Sequence, residues 1–303
     1  IEAGRILEHE GLVRRGVDAL LGLRQANLEP HMLDVISGCA GAIPVLIRSA
    51  RMLEKQALIE TAVRFGEHLL ACAIKTDDGW GWDTMAVPDQ PPLTGYSHGA
   101  AGVVRALLEL HQITQEARYR EAALEGLRYE RRHFVAEQGN WRDLRKVETV
   151  PAPAQPICCL AWCHGAPGAG MARLRAAQLL GNDPVVLGEA QIAVQTTLGA
   201  LARPVTPGAG NYSLCHGAGG NAELLILSAD FWNRPDLRAT AEGVGVAGIE
   251  VFEKPGLPWP CGVANAGETP NLLLGLAGIG YFYLRLHQPD QVPSVLLVDI
   301  AAK

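Results

Sequence analysis

Trp162-Cys163-His164-Gly165-Ala166-Pro167-Gly168 and Leu214-Cys215-His216-Gly217-Ala218-Gly219-Gly220 are two versions of one phrase. In both, a Cys-His pair stands directly before a G-x-x-G core that opens an apolar stretch. Three more segments carry the core without that pair: Ser37-Gly38-Cys39-Ala40-Gly41, His98-Gly99-Ala100-Ala101-Gly102 and Leu274-Gly275-Leu276-Ala277-Gly278. The first glycines stand at 38, 99, 165, 217 and 275, with spacings of 61, 66, 52 and 58. A period near 60 has room for a long loop and two helices, so the chain reads as an array of helical hairpins.

The periodicity around these cores is helical. After Gly99, the residues Ala100, Val103, Val104, Leu107 and Leu108 recur at the spacing of one buried helix face. A second, more charged helix is expected in each repeat, over 55–75, 118–134, 183–200 and 235–252. β-branched alternation is nearly absent, which predicts few and short strands. Small residues at both ends of G-x-x-G are expected to let the inner helices pack closely around an axis. Long loops rich in Pro, Gly and aromatics (77–96, 138–162, 203–214 and 254–270) all lead into helix N-termini. In such an array they gather at one end, which is then lined with amide groups and partial positive charge.

Composition narrows the function. The chain has 303 residues, of which 48% are hydrophobic and 19% charged, so it can bury a large core. Its 34 glycines follow no Gly-X-Y period, which excludes collagen. A net charge of -6 with scattered Lys and Arg leaves no footprint for nucleic acid. The apolar run 272–284 stops at Arg285, short of the roughly 20 residues of a transmembrane helix. The charged start (Glu2, Arg5, Glu8, Glu10) does not resemble a signal peptide. Seven cysteines, an odd number in a long chain, favour free thiols and a reducing, cytoplasmic compartment.

Two Cys-His-Gly segments in one repeat register point to zinc, because thiolate and imidazole are its preferred ligands and a helix N-terminus favours thiolate. Spacing leaves the ligand set open. Cys163, Cys215, His164 and His216 together make a closed structural site, whereas two Cys and one His leave a catalytic fourth position. Cys158 and Cys159 fall outside the register and read as core residues, and Cys261 is intermediate. His98 occupies the same repeat position without a cysteine, so it is the candidate general acid or base. Asp34, four residues before Gly38, is aimed at the same end.

The set G-Y-S-H-G-A-A-G (95–102), W-C-H-G-A-P-G (162–168) and L-C-H-G-A-G-G-N (214–221) closely resembles the lanthionine synthetase C-like cyclases. Tyr129-Glu130-Arg131, Asn140-Trp141-Arg142-Asp143-Leu144-Arg145 and Gly275-Leu276-Ala277-Gly278-Ile279-Gly280 resemble more narrowly the class II lanthipeptide synthetases of bacteria. The resemblance runs from Asp34 to the end. It implies an all-α fold, the α/α toroid of inner and outer helices. It also implies Zn2+ on Cys163, Cys215 and His216, with His98 as acid/base, Asp34 supporting it and His164 in an auxiliary role. The family's active-site arginine has no counterpart before Trp162, where Cys159 stands instead.

The implied reaction is thioether formation. A cysteine thiolate of a dehydrated precursor peptide adds to a dehydroalanine or dehydrobutyrine, and His98 protonates the resulting α-carbon. The family toroid has seven inner helices against five segments here. Residues 1–303 are therefore expected to form one cyclase domain missing two repeats before Ile1, with a dehydratase domain further upstream. Other readings are zinc-dependent thiol addition to a different electrophile, of the glutathione-transferring or prenyltransferase-like kind, and a scaffold with structural zinc.

Overall fold

A computed structural model describes residues 1–146 and 155–297, so the middle of the 138–162 loop lies outside the described residues. Among the described residues, α1 (Glu2–Ile6) and α2 (Glu10–Gly22) are followed by four α-helical hairpins and one more α-helix. The hairpins are α3 (Cys39–Leu53) with α4 (Gln56–Ala71), α5 (Ala100–Thr114) with α6 (Ala117–Arg132), α7 (Ala166–Leu179) with α8 (Pro184–Leu201), and α9 (Ala218–Trp232) with α10 (Pro235–Gly248). The last helix is α11 (Leu276–His287). Among the described residues the strands are short: β1 (Ile74–Thr76) pairs antiparallel with β2 (Gly79–Gly81), and β3 (Phe134–Val135) with β4 (Asn140–Trp141).

Each hairpin packs on itself, and α3, α5, α7, α9 and α11 pack in succession to form an inner layer. Helices α4, α6, α8 and α10 form the outer layer, giving the two-layered α/α toroid architecture. The burial patterns differ as the layers require. Outer helix α8 buries Val186, Ala190, Ala193, Val194 and Thr197, a single stripe at helical spacing. Inner helix α5 buries every residue from Ala100 to Leu110, including Arg105 and Glu109. The five apolar positions noted after Gly99 are thus part of a helix covered on all sides. Its charges are paired: Arg105 donates to the Tyr96 hydroxyl at 2.8 Å, and Arg175 donates to both Glu109 oxygens at 2.7 and 2.9 Å.

Three inner-to-outer turns use one device. Glu54, Gln115 and Asn233 adopt left-handed backbone at the C-caps of α3, α5 and α9, and the next helix starts two residues later. In the remaining hairpin, α7 with α8, Asp183 caps α8, accepting from the Val185 and Val186 amides at 3.0 Å each.

The repeat glycines serve a second purpose beside the close packing expected of them, which Gly102 shows against Val35 and Gly168 against Tyr96 of the neighbouring repeats. Each first glycine (38, 99, 165, 217, 275) is the N-cap of an inner helix. A Cβ on the second glycine would meet the carbonyl oxygen of the residue six positions earlier. The distances are 1.9 Å for Gly41 to Val35, 2.2 Å for Gly102 to Tyr96, 1.9 Å for Gly168 to Trp162, 1.8 Å for Gly220 to Leu214 and 1.9 Å for Gly278 to Leu272. The loop therefore folds back over the first turn of its own helix. Only glycine leaves space for that carbonyl.

Candidate active site

The same folded-back loops are stitched to one another. Val35 N–H donates to the Ser97 carbonyl, Tyr96 and Ser97 N–H to Cys163, Cys163 N–H to Cys215, and Cys215 N–H to Leu273, at 2.9–3.3 Å. The accepting carbonyl is in each case two residues before a repeat glycine. This ladder sets the residues just before the inner helices side by side at one end of the molecule, where those helices begin.

On one side of the ladder, His98 and Asp34 meet. His98 Nδ1 lies 2.6 Å from Asp34 Oδ2. Asp34 is 4% exposed, and its other oxygen accepts from the Ser37 amide at 2.8 Å and hydroxyl at 3.2 Å. The carboxylate is therefore fixed by two groups of its own turn while it holds the imidazole, leaving Nε2 as the nitrogen available for proton transfer. The His98 side chain retains 29% exposure, so a substrate can reach it. Thr84 Oγ1 donates to the His98 carbonyl at 2.5 Å and fixes the backbone.

The His164 ring stacks on that of His98, with centroids 5.9 Å apart and planes 29° apart. It is almost fully buried, with Nδ1 3.3 Å from the Thr94 carbonyl and Nε2 lacking a hydrogen-bond partner. Burial, helped by the Arg145 charge, pushes it down to about 4, so the ring is neutral near pH 7. His164 thus keeps company with His98.

On the other side, the Cys163 thiol is hydrogen-bonded to Cys215. That bond and burial push Cys163 up, whereas the same bond lowers Cys215. His216 is exposed, next to this pair in sequence and close enough for its charge to act on Cys163. Its Nε2 lies 3.0 Å from the Gly262 carbonyl, which leaves Nδ1 free. Among the described residues no three His, Cys, Asp or Glu side chains form a ready cation cage, because the thiols face each other and His216 is turned to Gly262. The donor chemistry nevertheless fits a zinc ion: two paired sulfurs, and an imidazole whose second nitrogen is anchored on a carbonyl, as metal-binding histidines are.

Two features escaped the sequence reading. Arg145 sits close enough for its charge to act on Cys163, Cys215 and His164, although it lies 18 residues before Cys163. Asp143 grips its Nε and Nη2 at 2.6–3.1 Å and is itself held down to about 2, the Arg145 and Cys159 hydrogen bonds outweighing burial. Cys158 and Cys159 are not core residues: both are partly exposed in the loop before Cys163. The Cys159 thiol donates to Asp143 at 3.0 Å and accepts from Arg145 at 3.6 Å, because the loop ends against β4. The second feature is Glu130, fully buried, which accepts from the Gly95 amide at 2.9 Å and pairs with Arg173 at 3.4 Å. It pins the turn three residues before His98. A Tyr-Glu-Arg motif was visible in the sequence, but nothing in its spacing linked it to that turn.

The cysteines are all free, and no described helix is long and apolar enough to cross a membrane. Comparison with known proteins bears on the same residues. The lacticin 481/lactococcin biosynthesis protein LcnDR2 of Lactococcus lactis subsp. lactis is 26% identical over 204 residues, 64% of this chain and 20% of that protein. The chain thus spans about a fifth of the length of this curated relative. Nisin cyclase shares the fold, with a TM-score of 0.65 at 20% identity, covering 96% of this chain and 74% of that one. Residues 5–297 match the model of one family described as lanthionine synthetase C-like protein. That match takes in the whole loop ladder and every site residue described above: the chain belongs to the lanthionine synthetase C-like family.

Proposed function

We propose that this chain closes lanthionine or methyllanthionine rings, adding a peptide cysteine to a dehydroalanine or dehydrobutyrine of the same peptide. The observation that carries the reading is the juxtaposition of an Asp34–His98 pair at 2.6 Å with the Cys163–Cys215 thiol pair, joined through the Tyr96, Ser97 and Cys163 backbone. Cys163, Cys215 and His216 Nδ1 would hold Zn2+, which when bound supplies a strong lowering of thiol pKa.

The chain's own groups account for the rest. The peptide thiol releases its proton to solvent, the new S–C bond forms as the C=C π pair moves toward the adjacent peptide carbonyl, and enolate charge is left on that oxygen. Among the described residues Asp143 takes Nε and Nη2 of the Arg145 guanidinium and Nη1 has no partner, so in this reading the Nη1 edge neutralises that oxygen. Imidazolium His98, its Nδ1–H held by Asp34, gives the Nε2 proton to the α-carbon and completes the ring. His164, neutral and stacked on His98, shields that ring from water. The substrate in this reading is a dehydrated precursor peptide, supplied in a reducing cytoplasm by a dehydratase upstream on the same polypeptide.

The test is loss of free thiol from a dehydrated peptide at constant peptide mass. Cyclisation that survives Cys215→Ala with zinc retained would overturn the ligand assignment. Normal cyclisation by zinc-loaded His98→Asn would overturn its acid/base role.

A further inference from the structure

Cys163 and His164 ride on one tight turn, residues 159–166. Leu160 bridges to Gly165, and the Ala161 amide donates to the His164 carbonyl at 3.2 Å. Gly165 has φ +102°, and a Cβ there would meet the Cys159 carbonyl oxygen at 1.8 Å. Gly165 is also the N-cap of α7 and has no side chain to accept from the first helical amides.

Two buried asparagines from other elements supply what the turn lacks. Asn140, on β4 and 2% exposed, uses both atoms of its amide. Its Nδ2 donates to the Cys159 carbonyl at 2.9 Å, and its Oδ1 accepts from the Ala166 amide at 2.7 Å and the Trp141 amide at 2.8 Å. One side chain thus ties both ends of the turn. Its orientation is fixed by its partners, because a carbonyl only accepts and a backbone amide only donates. Asn221, near the start of α9 and 7% exposed, donates from Nδ2 to the next carbonyl, Leu160, at 2.9 Å.

The same loop reaches Arg145. The Asp143 amide donates to the Ile157 carbonyl at 2.7 Å, and the Cys159 thiol donates to Asp143 Oδ2 at 3.0 Å. The segment that Asn140 holds therefore packs on the carboxylate that grips Arg145.

We propose that Asn140 and Asn221 are positioning residues, holding the 159–166 turn where Cys163 meets Cys215 and Arg145 stands beside both. Both asparagines are too buried to touch a peptide, so they act through Cys163 and Arg145. Asparagine suits position 140 because one planar group must both give and accept. The effect on rate rests on the thioether reading, whereas the effect on metal affinity rests only on the ligand set.

The test is Asn140→Asp, which keeps the acceptor for Ala166 and Trp141 but sets a second oxygen against the Cys159 carbonyl. Zn2+ affinity, read by competition with a chromophoric chelator, should fall by about 10- to 100-fold, as when outer partners of metal ligands are changed. At saturating Zn2+, kcat for thiol loss from a dehydrated peptide should fall by about 10- to 100-fold, with peptide KM unchanged. Asn221→Ala loses one bond and gains helix propensity, so it should fold and show both effects at about tenfold. It carries the test if Asn140→Asp shows no native melt. Thr61→Val removes a buried hydrogen bond of α4, 2.9 Å to the Ala57 carbonyl, and should lose stability while keeping affinity and kcat.

Wild-type affinity and kcat in folded Asn140→Asp, or in Asn221→Ala, would overturn the positioning role and leave the thioether reading standing. Equal losses in Thr61→Val would overturn it too, since the effect would then be one of stability alone. Wild-type protein that binds Zn2+ without forming thioether, while the asparagine variants bind it more weakly, would overturn the thioether reading and leave the positioning role. Wild-type protein that binds no Zn2+ would overturn both.

Discussion

Asp34→Asn separates the chemistry of the Asp34–His98 pair from its architecture. In the native site Oδ1 accepts both Ser37 hydrogen bonds, at 2.8 and 3.2 Å, and Oδ2 faces His98 Nδ1 at 2.6 Å. Asparagine keeps its oxygen on Ser37 and turns its amide nitrogen toward His98. The turn survives, but a donor now faces Nδ1, so that nitrogen must stay unprotonated. The imidazolium form, which must donate from Nε2, loses a charge-assisted hydrogen bond worth roughly 1.5–3 kcal/mol. At about 1.4 kcal/mol per decade, kcat for cyclisation should fall by about 10- to 150-fold. Zinc content should be unchanged and denaturant stability should move by less than about 1 kcal/mol, since the Ser37 bonds remain. The assay is single-turnover thiol loss from a bound dehydrated peptide, alongside a urea titration. A variant that cyclises within twofold of wild type would refute the role given to the pair. A large loss of stability would refute the claim that the Ser37 bonds survive the substitution.

Arg145→Gln should lower kcat by about 10²- to 10³-fold with little change in peptide Kd, as removal of one oxyanion donor does; a KM effect alone would contradict the assignment. Gly220→Ala places a methyl 1.8 Å from the Leu214 carbonyl, whereas such contacts need about 3.3 Å, so the loop carrying Cys215 must move by roughly 1.5 Å. The expected cost is about 1–3 kcal/mol in a urea melt together with lost zinc, and an unperturbed variant would contradict the close approach. Asp143 should contribute stability that is present above pH 4, where its carboxylate is ionised both folded and unfolded. That contribution of about 2 kcal/mol is lost as pH falls through its folded value near 2, so Asp143→Asn should flatten the acid limb of the pH–stability curve. The Cys39 thiol, pushed up to about 12 mainly by burial, should resist iodoacetamide at pH 8 until the chain unfolds.

The repeat was legible because its cause is local. A carbonyl folded over a helix start demands glycine at a fixed offset, and it does so five times. The candidate residues His98, Asp34, Cys163, Cys215 and His216 were legible for a related reason: each sits within a few residues of such a glycine, and the loop ladder joins those positions. Arg145 was hidden because it reaches the site from the loop after β4, with Asp143 fixing it through tertiary contacts that carry no sequence period. The burial of Arg105 and Glu109 was hidden too, since charged residues on a helix read as a solvent face until a hydroxyl and a second helix meet them. Turn boundaries at Glu54 and Gln115 gave no signal, because neither residue type favours the left-handed backbone it adopts. The outer helices accordingly began or ended a few residues from their expected limits, as α4 does at Gln56 and Ala71.

The central claim is that the thiol pair and the Asp34–His98 pair act together on one peptide, so that sulfur addition and α-carbon protonation are coupled. Mass spectrometry of a dehydrated, single-cysteine peptide turned over by the zinc-loaded protein in D2O measures both at once. The account predicts one lost thiol and one non-exchanging deuterium at the α-carbon per ring, with both falling together in His98→Asn while zinc is retained. A peptide that keeps its thiol, or one that cyclises and takes up deuterium at the wild-type rate without His98, would contradict it.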